Sequence, residues 1–158
     1  MEKYNVNEIV KWLLDKEKIN YNRLQRYLYF LYGEYLVIKN DDVNNIDVEL
    51  FKNDFEGWAY GAVNTLVYNE YSDSTYKVMD IHPNTNTNIN ISKEDDDILT
   101  EIYNKYKNYS TDELEEMMHR QKPWLNSRVG LSFFDIGTNK IITKDIFESF
   151  KHGINNRF

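Results

Sequence analysis

The chain has 158 residues, no cysteine, and 26 acidic against 19 basic side chains, a formal net charge of -7. Its length is that of one domain spanning 1-158 with a core of its own. The missing cysteine removes disulfides, thiolate metal sites and cysteine nucleophiles, and the acidic balance, with no segregated basic run, argues against direct nucleic-acid binding.

Aromatic residues make up 15% of the chain and tyrosine supplies 13 of them, so a packed interior is expected. The start, Met1-Glu2-Lys3-Tyr4-Asn5, lacks a basic region followed by an apolar run, and no stretch approaches the ~20 apolar residues of a membrane span. A soluble cytoplasmic protein without membrane attachment is the expectation. The abundance of Asn, Lys, Ile and Tyr, all with A/T-rich codons, points to an AT-rich genome.

Asn5 and Glu8 have the form of a capping box ahead of Ile9, Val10, Leu13 and Leu14, which predicts a helix from Val6 to Glu17. Asn20 or Asn22 caps a second helix, in which Leu24, Tyr27, Leu28, Leu31 and Tyr35 recur on one face. Gly33 inside it, unfavourable by about 1 kcal/mol relative to Ala, suggests close packing or a bend. Residues 40–47 read as a surface loop. In Phe55-Glu56-Gly57-Trp58-Ala59-Tyr60-Gly61-Ala62-Val63, alternation puts Phe55, Gly57 and Ala59 on one strand face and Glu56, Trp58 and Tyr60 on the other. Gly61 then breaks the strand, and Ala62 to Tyr71 runs on as a short helix.

The polar repeat within residues 72–91 is expected to be a flexible loop. Ser92 and Ser110 cap two further helices, the first carrying Ile98, Leu99, Ile102, Tyr103 and Tyr106, the second Leu114, Met117 and Met118 and ending before Pro123. Phe133, Phe134 and Ile136 lead to Gly137, and Lys140-Ile141-Ile142 predicts a strand; Thr143 caps a last helix with Ile146, Phe147 and Phe150, closed by Gly153. The fold class is α+β, predominantly α-helical, with five or six helices and a small two- or three-stranded antiparallel sheet.

Signals for chemistry are sparse. His82, His119 and His152 have no metal-ligand spacing, and the run Glu94-Asp95-Asp96-Asp97 suits the N-terminus of a helix better than a calcium loop. No phosphate-binding or nucleophile motif occurs, so neither a cofactor nor a metal is expected. Glu56, a carboxylate among aromatics, is either an acid-base group or a structural residue with an Arg or backbone partner. His119 and Trp124 either mark a binding pocket or close a helix and pack on the core. The second helix has a tyrosine-rich face that is core on one side and contact surface on the other. Tyr29, Tyr32, His119 and Trp124 are thus the candidate partner contacts.

The runs Leu24-Gln25-Arg26-Tyr27-Leu28-Tyr29-Phe30 and Phe55-Glu56-Gly57-Trp58-Ala59-Tyr60-Gly61-Ala62-Val63, with Leu114, His119, Pro123-Trp124 and Ile141 to Phe150, resemble the Panacea domain. This is the SocA-like, or GepA-like, family of phage-associated antitoxins. Leu24, Tyr27, Leu28, Phe55, Trp58, Tyr60 and Gly61 carry the structural motif. Ala62 departs from a family Pro, Gly57 from Ala and Arg26 from Lys. The resemblance implies an antitoxin that neutralises a genetically linked toxin, by occlusion or as an adaptor to a AAA+ protease, with no catalytic residue and no cofactor. A phage- or mobile-element-encoded interaction module without a cognate toxin is the alternative, and an enzyme using Glu56 and His119 the third reading.

Overall fold

The computed structural model describes residues 1–72 and 89–153. Most of the predicted loop at 72–91, and His82 with it, lies outside the described residues. Among these there are seven α-helices and one two-stranded sheet. The order is α1 (Val6–Lys16), α2 (Tyr21–Lys39), β1 (Phe55–Trp58), β2 (Gly61–Asn64), α3 (Thr65–Tyr71), α4 (Lys93–Tyr106), α5 (Thr111–His119), α6 (Lys122–Ser127) and α7 (Thr143–Lys151). The fold is predominantly helical α+β. Its helix count exceeds the expected five or six because α6 forms past the second Ser-capped helix, where no helix was expected.

Four helices start on the caps their sequences announce. Asn5 closes the capping box with Glu8, Asn20 accepts from the Arg23 amide, Ser92 from Asp95 and Ser110 from Glu113. The last helix departs from this pattern: Thr143 is its first residue, follows Ile142 and makes no side-chain cap. Thr143 Oγ1 instead accepts from the Asn53 side chain at 2.9 Å.

Helix α2 forms the centre of the molecule, with α1, α4, α5, α7 and β2 packed around it. It is buried on nearly all sides, since Gln25, Arg26, Tyr29, Phe30 and Tyr32 are enclosed as fully as the expected stripe of Leu24, Tyr27, Leu28, Leu31 and Tyr35. A helix enclosed in this way shows weak amphipathicity. Its polar tips therefore need partners from other elements. Tyr27 donates to Glu17, Tyr29 to Gln121, Tyr32 to Glu49 and Tyr35 to Asp95. The Gln25 amide clasps the backbone of Asn64, donating to its carbonyl at 3.1 Å and accepting from its amide at 2.8 Å.

Each member of the acidic run opening α4 has its own attachment, although Glu94 and Asp97 stay exposed. Glu94 meets Lys39 at 2.9 Å, Asp96 accepts from the Trp12 indole at 2.7 Å, and Asp97 pairs with Lys93. Asp95, only 1% exposed, accepts from Tyr4 at 2.6 Å and Tyr35 at 3.0 Å and lies 3.3 Å from Lys39. Burial opposes its ionisation, but the hydrogen bonds from Tyr4, Tyr35 and Lys39 outweigh burial and hold its carboxyl below the usual aspartate value.

The strand region differs from its sequence reading. Gly61 does not end a strand but begins β2, which pairs antiparallel with β1 from Phe55 opposite Asn64 to Trp58 opposite Gly61. A two-residue connection at Ala59 and Tyr60 reverses the chain, with Gly61 at φ +136, a conformation that favours glycine. Helix formation waits until Thr65, where Asn64 caps the chain by accepting from the Val67 amide. The expected alternation holds through β1: Phe55 and Gly57 are buried, Glu56 and Trp58 half-buried.

Residues 133–142 are not a third strand. Phe133, Phe134 and Ile136 face solvent, and Lys140 makes a single bridge to Glu56. The segment still runs beside β1, because Gly57 donates to Asn139, Ala59 to Ile136, and Ile141 to Phe55 through the backbone.

Two predictions follow from this packing. A Cβ added at Gly33 would lie 2.2 Å from the Phe150 ring, which is itself packed on Tyr29 and Phe30. In urea unfolding, Gly33→Ala costs about 1–3 kcal/mol, and Phe150→Leu in the same chain recovers part of that; equal loss in both proteins would contradict the close contact. For Asp95, a lowered folded pKa means its contribution is complete above the unfolded value of about 3.9 and is lost as pH falls through the folded one. Asp95→Asn is accordingly less stable at neutral pH by about 1–3 kcal/mol, and its stability declines less steeply between neutral and acidic buffers than the parent's.

Candidate functional site

The β1–β2 turn, α5, α6 and the segment after it meet on one side of the molecule. Helix α6, which starts with Pro123 in its first turn, is brought to the hairpin by two ring contacts. The Trp124 indole donates to the Trp58 carbonyl at 2.8 Å, and its ring stacks on His119 with centroids 4.3 Å apart and planes 33° from parallel. Burial pushes the His119 pKa below the usual histidine value, against the pull of Glu115 and a hydrogen bond to the Tyr60 carbonyl. His119 is thus held neutral near pH 7.

Arg128, the residue after α6, organises the next segment. Its Nη1 donates to the carbonyls of Gly57 at 3.1 Å and Ile136 at 2.8 Å, and its Nη2 to those of Ser132 at 2.9 Å and Asp135 at 2.7 Å. Gly137, at φ +77, leaves room for it, since a Cβ there would lie 2.4 Å from Nη1. The loop backbone turns inward to one buried guanidinium, so its side chains turn outward. Val129 is 76%, Phe133 78%, Phe134 88% and Ile136 69% exposed. Exposed large apolar side chains grouped on a braced loop are the kind of feature found at interaction sites.

The sequence-predicted partner residues fall in two groups. Tyr29 and Tyr32 are corrected: both are completely buried, with their hydroxyls committed to Gln121 and Glu49, so neither offers a surface. A tyrosine face outside the predicted stripe looks like contact surface until the other elements close over it. His119 and Trp124 do come together, half-buried at the hairpin. In the structural motif, Leu24, Tyr27, Leu28 and Phe55 are core, whereas Trp58 is half-buried and Tyr60, at the turn, is 77% exposed. Glu56 accepts from the Trp58 indole at 3.0 Å, a partner neither Arg nor backbone, and among the described residues no hydrogen bond or ion pair joins it to His119.

Two departures from the family pattern have local reasons. A Cβ at Gly57 would lie 1.8 Å from Ser127 Oγ, so glycine here accompanies this serine on α6. Ala62 lies in β2, not at a helix start, and its amide donates to Met118 Sδ at 3.0 Å, a bond proline could not make. The exposed 129–136 loop is the feature sequence reasoning missed. Its signal was present in Phe133-Phe134, but was assigned to strand alternation.

Arg128→Met strands four carbonyls and costs on the order of 3 kcal/mol. Hydrogen exchange distinguishes its local effect: the Ala59 and Gly57 amides, which bond to this loop, exchange faster while the α2 amides keep their relative protection. Uniform acceleration across both would remove Arg128 from that role.

In comparisons with known proteins, residues 24–125 match the family described as antitoxin SocA-like, Panacea domain. The match runs from α2 into α6 and so contains the central helix, the hairpin and the His119–Trp124 stack. No curated protein and no solved structure matches the chain. The matched stretch covers well over half of the sequence, and the chain belongs to the SocA-like antitoxin family through its Panacea domain.

Proposed function

We propose that this protein is an antitoxin that binds a partner toxin through the 129–136 loop. The observation that carries the reading is the exposure of Val129, Phe133, Phe134 and Ile136 on a backbone already fixed by Arg128. Aromatic side chains presented on a rigid frame lose little entropy on docking and are typical anchors of protein interfaces. The loop lies beyond the segment the family model matches. A surface that selects one particular toxin belongs outside the shared pattern, of which Leu24, Tyr27, Leu28 and Phe55 build the core here.

The net charge of -7 suits a basic toxin, whose encounter it would speed and orient. The protein works in the cytoplasm by contact alone and makes no covalent change in its partner. Covering the toxin's active surface and delivering the toxin to a AAA+ protease are the two routes by which such contact neutralises. Among the described residues no group of three or more His, Asp or Glu side chains could hold a metal ion, and no helix is long and apolar enough to cross a membrane.

Co-expression with the product of the neighbouring gene tests the proposal. The parent chain rescues growth, and a Phe133→Asp, Phe134→Asp variant that retains its near-UV circular dichroism binds the toxin at least about thirtyfold more weakly, the loss of two anchor residues, and no longer rescues. Folded Glu56→Gln and His119→Ala chains neutralise as the parent does. Undiminished rescue by the loop variant would rule out this surface, and a non-toxic neighbour would rule out the antitoxin reading.

A further inference from the structure

Arg26 is 4% exposed on α2, yet it lacks the partners that the buried Arg128 and the part-buried Arg23 have. Arg23 reaches Glu17, the Tyr27 hydroxyl and the carbonyls of Lys107 and Tyr109, and Arg128 reaches four carbonyls. Arg26 has two long contacts, from Nη1 to the Ala62 carbonyl at 3.5 Å and to Met118 Sδ at 3.6 Å. Its Nε is buried without a hydrogen-bond partner, and among the described residues no carboxylate lies within ion-pair distance. An enclosed guanidinium with unused donors carries a desolvation cost that a bound anion would offset.

The same side chain lines a cleft of about 410 Å³ between α2, the hairpin, α3 and α5, a size typical of small-ligand sites. The cleft walls are aromatic. Trp58 and Tyr68 meet edge to face at 4.6 Å, Tyr21 lies 6.4 Å from Tyr68, and Tyr60 stands at the turn. Gly61 makes the space for the cation, since a Cβ there would lie 2.1 Å from Arg26 Nη1. Glu115 lines the cleft too and attracts Arg26 without pairing with it. One positive charge opposed by one carboxylate suits a monoanion and disfavours a dianion such as phosphate.

We propose that this cleft is a binding site for a carboxylate borne on a flat apolar group, with the carboxylate on the Arg26 guanidinium and the flat group against Trp58 and Tyr68. A free aromatic acid and the C-terminal carboxylate of a chain ending in an aromatic residue share this chemistry. The residues lining the cleft include none from the 129–136 loop.

The test titrates the full chain with benzoate, benzamide, N-acetyl-glycyl-phenylalanine and inorganic phosphate. The arginine Nε–H resonances, with that of Arg26 assigned by its loss in Arg26→Lys, and tryptophan fluorescence report binding. Benzoate or the peptide is expected to shift the Arg26 signal saturably at millimolar concentration, with the tighter of the two naming the source of the carboxylate. Benzamide, neutral and of the same shape, binds at least about tenfold more weakly, the loss of one charged hydrogen-bond pair. Arg26→Gln loses benzoate binding, whereas Glu115→Gln tightens it about threefold, the order of a partly screened charge contact, and admits phosphate. A structural role for Arg26 would not produce that opposite pair of effects. The proposal fails if neither acid saturates, if benzamide equals benzoate, or if Glu115→Gln leaves benzoate binding unchanged. Should Arg26→Gln not fold, the parent and Glu115→Gln titrations decide the matter.

Discussion

Burying α2 on nearly every side imposes the condition on which the rest of the structure depends: the polar tips that the helix carries inward need partners from other elements, a need that Arg26 meets only in part. Four tyrosine hydroxyls and one glutamine amide leave this helix in five directions, to Glu17, Gln121, Glu49, Asp95 and Asn64. Their partners lie after α1, before α6, ahead of the hairpin, in α4 and in β2. Leaving a buried polar group unpaired costs about as much as several good contacts supply. The tyrosines therefore fix which elements may surround α2, and in what register, where aliphatic packing alone would tolerate sliding.

The same reasoning explains why the exposed apolar loop lies where it does. The hairpin is anchored to α2 by Gln25 and Asn64, and α6 is anchored to the hairpin by Trp124 and the Trp58 carbonyl. Arg128 then stands at a fixed place with four carbonyls gathered around it, and the loop that supplies three of them has only its outer side left for Phe133, Phe134 and Ile136. The hairpin and the exposed loop are joined by that guanidinium together with the backbone bond from Ala59 to Ile136.

Much of the architecture was legible because it rests on local rules. Asn5, Asn20, Ser92 and Ser110 announce helix starts through hydrogen bonds made within three residues, and those caps are where expected. Gly33 signalled close packing, which Phe150 supplies. The order of aromatics and glycines in Phe55 to Val63, together with the Leu24 to Phe30 run, pointed to the family. The departures occur where local rules give way to pairing: β2 takes Gly61 from a strand end and Ala62 to Asn64 from a helix, α6 forms beyond the expected stop because proline is tolerated in a helix's first turn, and the loop around Arg128 replaces a strand.

By itself, then, the amino-acid sequence determined the helix starts, the predominantly helical class, the apolar stripe of α2 and the family. Each is written in spacings of a few residues or in an ordered motif. Only the tertiary structure decided which rings are enclosed. Tyr29 and Tyr32 are chemically the same as the exposed Tyr60, and their exposure depends on which distant elements pack over them. It likewise decided that Arg23 and Arg128 gather several partners each while Arg26, three residues from Arg23, keeps its buried Nε unpartnered, because hydrogen-bond partners up to 92 residues away in the chain are brought together only by folding.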